Sequence, residues 1–150
     1  MSIKENIVTL IDGGEQRRFR VRQFSASQGE RVRLKMMFLL GANADVDKLM
    51  SLKNEEPISF IGYLINAAAS QPYEKVQELL DEMLSCVSRI QDGGIESQLT
   101  PVNVDGFISD TNTLMALRGE VIKINDFFPQ SGQNDLPKSP APDVVIKRKN

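Results

Sequence analysis

The apolar residues Val76, Leu79, Leu80, Met83, Leu84, Val87 and Ile90 recur at steps of three and four, and no other stretch of the 150-residue chain carries so long a stripe. That spacing lies on one side of a helix and predicts a helix over residues 72–90. Pro72 suits a first helical position, where a missing N–H costs nothing, and Gly93 and Gly94 follow where a helix would stop. Glu74, Lys75, Gln77, Glu78, Asp81, Glu82, Ser85 and Ser88 form the opposite face, which suits water. Burying the seven stripe side chains would contribute on the order of 10–20 kcal/mol gross, before conformational entropy offsets most of it. The helix therefore requires a core, and the other elements must supply it.

At the N-terminal end, residues 7–11 are apolar and β-branched, Asp12-Gly13-Gly14 is turn chemistry, and Arg18, Arg20 and Arg22 alternate with Phe19 and Val21. This predicts a β-hairpin over about 7–24, with Phe19 and Val21 turned inward and the arginines outward. The basic row is either a phosphate-binding strip or a solvated face. The solvated face is the better account, because no aromatic residues interleave for base stacking. Ser27 with Glu30, or Ser25 with Gln28, can open a helix over about 28–40. Val32, Met36, Leu39 and Leu40 make its inner face, while Leu34, Met37 and Phe38 widen the apolar arc. A short helical turn is expected over 45–52. Glu55-Glu56-Pro57 announces a further helix with the stripe Ile58, Ile61, Leu64, Ile65 and Ala68. Only Ser70-Gln71-Pro72 separates it from the long stripe, so these two helices are expected to pair antiparallel. Residues 95–99 and 101–104 read as brief extended segments. Asp110 or Ser109 then caps a last helix with Leu114, Leu117, Val121 and Ile122 on one side, ending near Asn125.

Residues 130–150 are rich in Ser, Gly, Gln, Asn, Asp, Pro and Lys and read as a disordered tail. The expected fold class is thus mainly α (α+β): one small helical domain over 1–129 with an N-terminal β-hairpin, followed by a disordered C-terminal tail over 130–150. Histidine is absent, which removes the commonest general base and metal ligand and argues against an enzyme, a metal site or a cofactor. Asp12-Gly13-Gly14 and Asp92-Gly93-Gly94 lack the lysine and hydroxyl residue of a phosphate loop and read as turns. Glu78, Asp81 and Glu82 fall on the solvent side of the long stripe and not across a cleft. The one cysteine, Cys86, excludes an internal disulfide and reads as an inert, partly buried thiol. Eighteen Lys and Arg against twenty Asp and Glu give a net charge of -2, so no general attraction to nucleic acid is expected. There is no apolar run of membrane-spanning length and no secretory pattern at the start of the chain, so the expected location is the cytosol.

The order of these elements, the Phe24-Ser25-Ala26 entry to the first helix, Val104-Asp105-Gly106-Phe107 leading through Leu114-Met115-Ala116-Leu117, and the Asn125-Asp126-Phe127-Phe128 exit resemble the tail assembly chaperones of long-tailed bacteriophages. The resemblance covers roughly residues 21–129. It implies a non-catalytic protein of the host cytoplasm that binds tape-measure protein, tail-tube protein or both during tail assembly and is absent from the finished virion. Self-association is compatible with it. The family supplies no fixed binding residues. Met36, Met37, Phe38, Phe127 and Phe128 are the candidate partner-binding residues, since thioether and aromatic side chains adapt to a helical client. Methionine at helical spacing is more often a core filler. Competing readings are a structural tail-completion or connector component and a small nucleic-acid-binding regulator using the arginine row.

Overall fold

The computed structural model describes residues 4–41, 47, 48, 51 and 57–126. The expected turn over 45–52 falls mostly outside them, as do Phe127, Phe128 and the tail over 130–150.

Strands β1 (Glu5–Asp12) and β2 (Glu15–Arg22) form the hairpin, closing at Asp12 opposite Glu15. Gly13 and Gly14 both have positive φ, 62° and 89°. A two-residue connection of that kind matches the right-handed twist of the flanking strands. A Cβ at Gly13 would also lie 3.3 Å from the Cβ of Ser109, so a side chain there would be both strained and crowded. Phe19 and Val21 are fully buried, and Val8 and Leu10 pack beside them from β1. Arg18, Arg20 and Arg22 stand on the other face of the sheet, as the alternation predicts.

Helix α1 (Ala26–Leu40) follows, then α2 (Pro57–Ala67) and α3 (Tyr73–Met83). Here the structure corrects the sequence reading. Pro72 precedes the first turn of α3, and the helix ends at Met83, not at residue 90. A 3-10 turn at Leu84–Cys86 leads into strand β3 (Val87–Ile90). The phase expected over 76–84 holds: Leu79, Met83 and Leu84 are buried, and Val76 and Leu80 pack at the core margin. The last two members of the stripe belong to a strand. Val87 lies opposite Val21 and Ile90 opposite Arg18, so β3 satisfies the second edge of β2. Val87 thereby joins the core while Ile90 is buried on the sheet's other face. Two β-branched residues three apart fit a helical stripe in sequence, but the unpaired edge of β2 is a stronger demand. Gly93 and Gly94 turn the chain into β4 (Glu96–Gln98), which pairs antiparallel with β3. Among the described residues the sheet runs β1-β2-β3-β4, antiparallel throughout.

Residues 101–104 are not extended. They form turns leading to the single helical turn α4 (Val104–Phe107). Helix α5 (Thr111–Asn125) is capped by Asp110, whose carboxylate accepts the Asn112 N–H at 2.9 Å. Leu117, Val121 and Ile122 are fully buried, and the helix packs against both α2 and the hairpin.

The expected antiparallel pairing of the second and third helices gives way to a different arrangement. The most extensive helix contact of α2 is with α5, and that of α3 is with α1. Phe60 and Ile61 are both buried, so the apolar arc of α2 is wider than the stripe read from its sequence and is covered from more than one side. Where α1, α2 and α3 meet, Met36, Leu40, Ile61, Leu64, Leu79 and Met83 border a void of about 30 Å³ with a wholly apolar lining. The space is large enough for a water, but its lining offers none of the polar partners a structural water needs.

Both ends of α5 are fastened to the hairpin. At its start, the buried carboxylate of Asp12 accepts the N–H of Ser109 and, at 2.8 Å, that of Asp110, and takes a charged hydrogen bond from Arg17 Nε at 3.0 Å. At its end, Asn125 Oδ1 accepts the Phe24 N–H at 2.9 Å. Burial alone would push the Asp12 carboxyl toward neutrality, but the Ser109 and Asp110 amides and Arg17 outweigh it. The carboxyl is held below its ordinary value.

Candidate partner surface

Helix α1 begins where Ser25 Oγ accepts the Gln28 N–H at 3.4 Å. Of the two capping patterns in the sequence, the structure takes the Ser25 one, although the Gln28 side chain turns away to donate to Ser85 Oγ at 3.0 Å. The phase set by that start turns Val32, Met36 and Leu40 into the core. It leaves Leu34, Met37 and Phe38 outside, 44%, 51% and 78% exposed. Spacings of three and four put these three on one ridge of the helix.

The ridge is held in place by charge. Glu82 of α3 accepts Lys35 Nζ at 2.7 Å and stands 3.6 Å from Arg31 Nε, pinning α1 to α3 beside the exposed apolar side chains. Phe38 and Leu39 also line an open hollow of about 380 Å³ whose other walls are Lys35, Gln71, Pro72, Lys75 and Glu78. Exposed aromatic side chains bordered by polar and charged groups are enriched at protein interfaces.

The five candidate partner residues therefore separate. Met36 is 1% exposed and belongs to the core, where it offers a partner no surface. Met37 and Phe38 are exposed side by side. Phe127 and Phe128 lie outside the described residues. Leu34 was read from the sequence only as widening the apolar arc, yet it completes the ridge. Its spacing of three and four from Met37 and Phe38 was the available signal.

The other groups singled out in the sequence do not converge on a reaction centre. Arg20 donates to Glu96 at 2.9 Å and stands 3.5 Å from Glu5, while Arg22 reaches the same two carboxylates at 3.5 and 3.4 Å. Much of the charge of the arginine row is thus answered within the sheet. Asp81 accepts from Gln77 Nε2 at 2.8 Å, and Glu82 is committed to α1. Arg118, a buried side chain the stripe reading passed over, donates from Nε to the Leu80 carbonyl at 3.1 Å and ties α5 to α3. Desolvation lowers its pKa, opposed by Asp81. Half-buried Cys86 has its thiol pushed up to about 12 by desolvation, so it stays protonated and unreactive at neutral pH. Among the described residues no three His, Cys, Asp or Glu side chains are grouped to hold a metal ion. Nor is any helix among them long and apolar enough to cross a membrane.

Compared with known protein families, residues 13–135 match the model of the phage tail assembly chaperone protein. No curated protein and no solved structure matches the chain. The match takes in β2, helices α1 to α5 and the whole of the α1 ridge. On a match of that extent, the chain belongs to the phage tail assembly chaperone family and serves in tail assembly.

Proposed function

We propose that this chaperone binds tape-measure protein, tail-tube protein or both in the host cytoplasm, without chemistry of its own, and leaves before the virion is complete. The Leu34, Met37 and Phe38 ridge of α1 is the surface we assign to the client. The observation that carries this reading is the exposure of Phe38, a large aromatic side chain left in water on a helix whose opposite face is fully packed. Leaving it there forgoes roughly 1.5–3 kcal/mol of burial, which a partner recovers. A client with long amphipathic helices presents the complementary stripe, and a thioether beside an aromatic ring accommodates stripes of varied shape. Phe127 and Phe128 are proposed to extend the same client contact.

Co-expression tests the proposal. The cognate tape-measure or tail-tube protein should be recovered soluble with this chain and insoluble without it, and purified mature particles should lack the chain. Clients equally soluble in its absence, with the chain present stoichiometrically in particles, would instead make it a structural tail component.

A further inference from the structure

The hydrogen-bonding side of β1 can be read from its register. Gln23 N–H donates to the Lys4 carbonyl at 2.8 Å, and Asp12 faces Glu15 across the turn. The even-numbered residues of β1 therefore direct their backbone groups toward β2, because antiparallel neighbours alternate between bonded and non-bonded pairs. The odd-numbered residues Glu5, Ile7, Thr9 and Ile11 direct theirs toward the open edge. Of these groups, the Ile11 carbonyl accepts Thr113 Oγ1 at 3.4 Å, and among the described residues no partner meets those of Glu5, Ile7 and Thr9. Natural edges are usually blunted by lysine, proline or a bulge. Between Asn6 and Ile11 this one has none of them, and Ile7 and Ile11 are 45% and 61% exposed on its outer face.

We infer that β1 pairs antiparallel with β1 of a second copy of this chain, about a twofold axis through Ile7. The three unpartnered rungs are centred on Ile7, and a twofold on that residue sets Ile7 against Ile7 and Glu5 against Thr9. Charge decides in favour of a second copy. Arg18 lies on β2 directly beside Thr9, is exposed, and among the described residues has no ion pair. In this register Glu5 of the second copy, whose Oε1 already stands 3.5 and 3.4 Å from its own Arg20 and Arg22, lands next to Thr9 on the same outer face, with its second carboxylate oxygen within reach of Arg18, and the contact repeats on the other side of the axis. The stretch from Asn6 to Ile11 is uncharged, so no like charges meet across the seam. A register centred on Thr9 would need the Ile11 carbonyl already taken by Thr113 and would set Glu5 against Gly13, away from Arg18. The result is a continuous eight-stranded sheet with the two α1 ridges left free, so the inference stands independently of the client surface.

The full-length chain should sediment as a concentration-dependent dimer. In a Cys86→Ser background, Ile7→Cys should cross-link to itself under mild oxidation. Residues facing across a bonded antiparallel pair have Cα atoms about 5.5 Å apart, within disulfide reach. Ile11→Cys should not cross-link, although Ile11 is the more exposed and would react faster if exposure alone decided. Thr9→Pro removes an N–H used only by the second copy and should give a folded monomer whose melting temperature no longer depends on protein concentration. Arg18→Glu should raise the dimer dissociation constant roughly tenfold. A monomeric wild type at all concentrations would overturn the inference, as would cross-linking of Ile11→Cys in preference to Ile7→Cys. A folded Thr9→Pro variant that remains dimeric would overturn it too. If Thr9→Pro does not fold, the cysteine pair decides alone. A monomeric wild type whose Thr9→Pro variant loses client solubilisation would assign the edge to a client strand and end the second-copy reading.

Discussion

Asp12 and Ser109, 97 positions apart in sequence, are joined by the Ser109 N–H lying 3.0 and 2.9 Å from the two oxygens of the Asp12 carboxylate. The tip of the hairpin thus supplies an anion at the entry to α5. That position is favourable twice, because the first amides of a helix lack internal partners and the helix dipole is positive there.

Removing this carboxylate should be among the costlier single changes in the protein. Asp12→Ala leaves the Ser109 and Asp110 amides without their acceptor in a buried site and leaves Arg17 only Glu15, and should cost about 3 kcal/mol by denaturant titration.

The same carboxylate makes stability pH-dependent in a definite direction. Its pKa in the fold is lowered from 3.8. The stabilisation is therefore fully present above that value and is lost as pH falls below it through the folded pKa. The stability difference between wild type and Asp12→Asn should be flat above about pH 5 and shrink in more acid solution. Thermal melts of the two proteins across that range check it.

The other fastening of α5 carries no charge. Asn125→Ala deletes the acceptor of the Phe24 N–H and should cost about 1 kcal/mol, with the same value at pH 4 and pH 7. A pH-dependent loss would mean that the end of α5 is held by something other than this amide.

Cys86 should resist alkylation at pH 8 in the folded protein and react promptly after denaturation, because a thiol pushed up to about 12 presents almost no thiolate. Rapid labelling of the native protein would contradict the burial found for it.

Elements written in local chemistry were legible in the sequence. Asp12-Gly13-Gly14 with alternating Phe19 and Val21 announced the hairpin, and Ser25 and Asp110 marked the starts of α1 and α5. The strand at Val87–Ile90 was not, because its reason for existing is the unpaired edge of β2, some 70 residues earlier. Leu84, Val87 and Ile90 meanwhile satisfy a helical spacing. Strand β4 was read as a brief extended segment over 95–99, but it carries no apolar residue of its own, and its place in the sheet is set by β3. Asp12 was read as a turn residue, which it is; nothing local shows that its carboxylate also receives a distant helix. In the candidate site, the exposed members of α1 followed from its phase once Ser25 was the cap. Met36, adjacent to Met37 in sequence, falls on the buried side for the same reason.

The central claim is that a client is bound through exposed apolar side chains on α1 and not through charge. Capture of the tape-measure or tail-tube protein by wild type, Phe38→Asp and an Arg20→Ser/Arg22→Ser double variant, at low and high salt, tests it most directly. Phe38→Asp should lose the client while melting within about a degree of wild type, since the side chain it replaces is 78% exposed. The arginine variant should retain the client, and the wild-type complex should persist in high salt, where ionic contacts are screened. Undiminished capture by a folded Phe38→Asp variant, or a complex that dissolves in salt and with the arginine substitutions, would contradict the account.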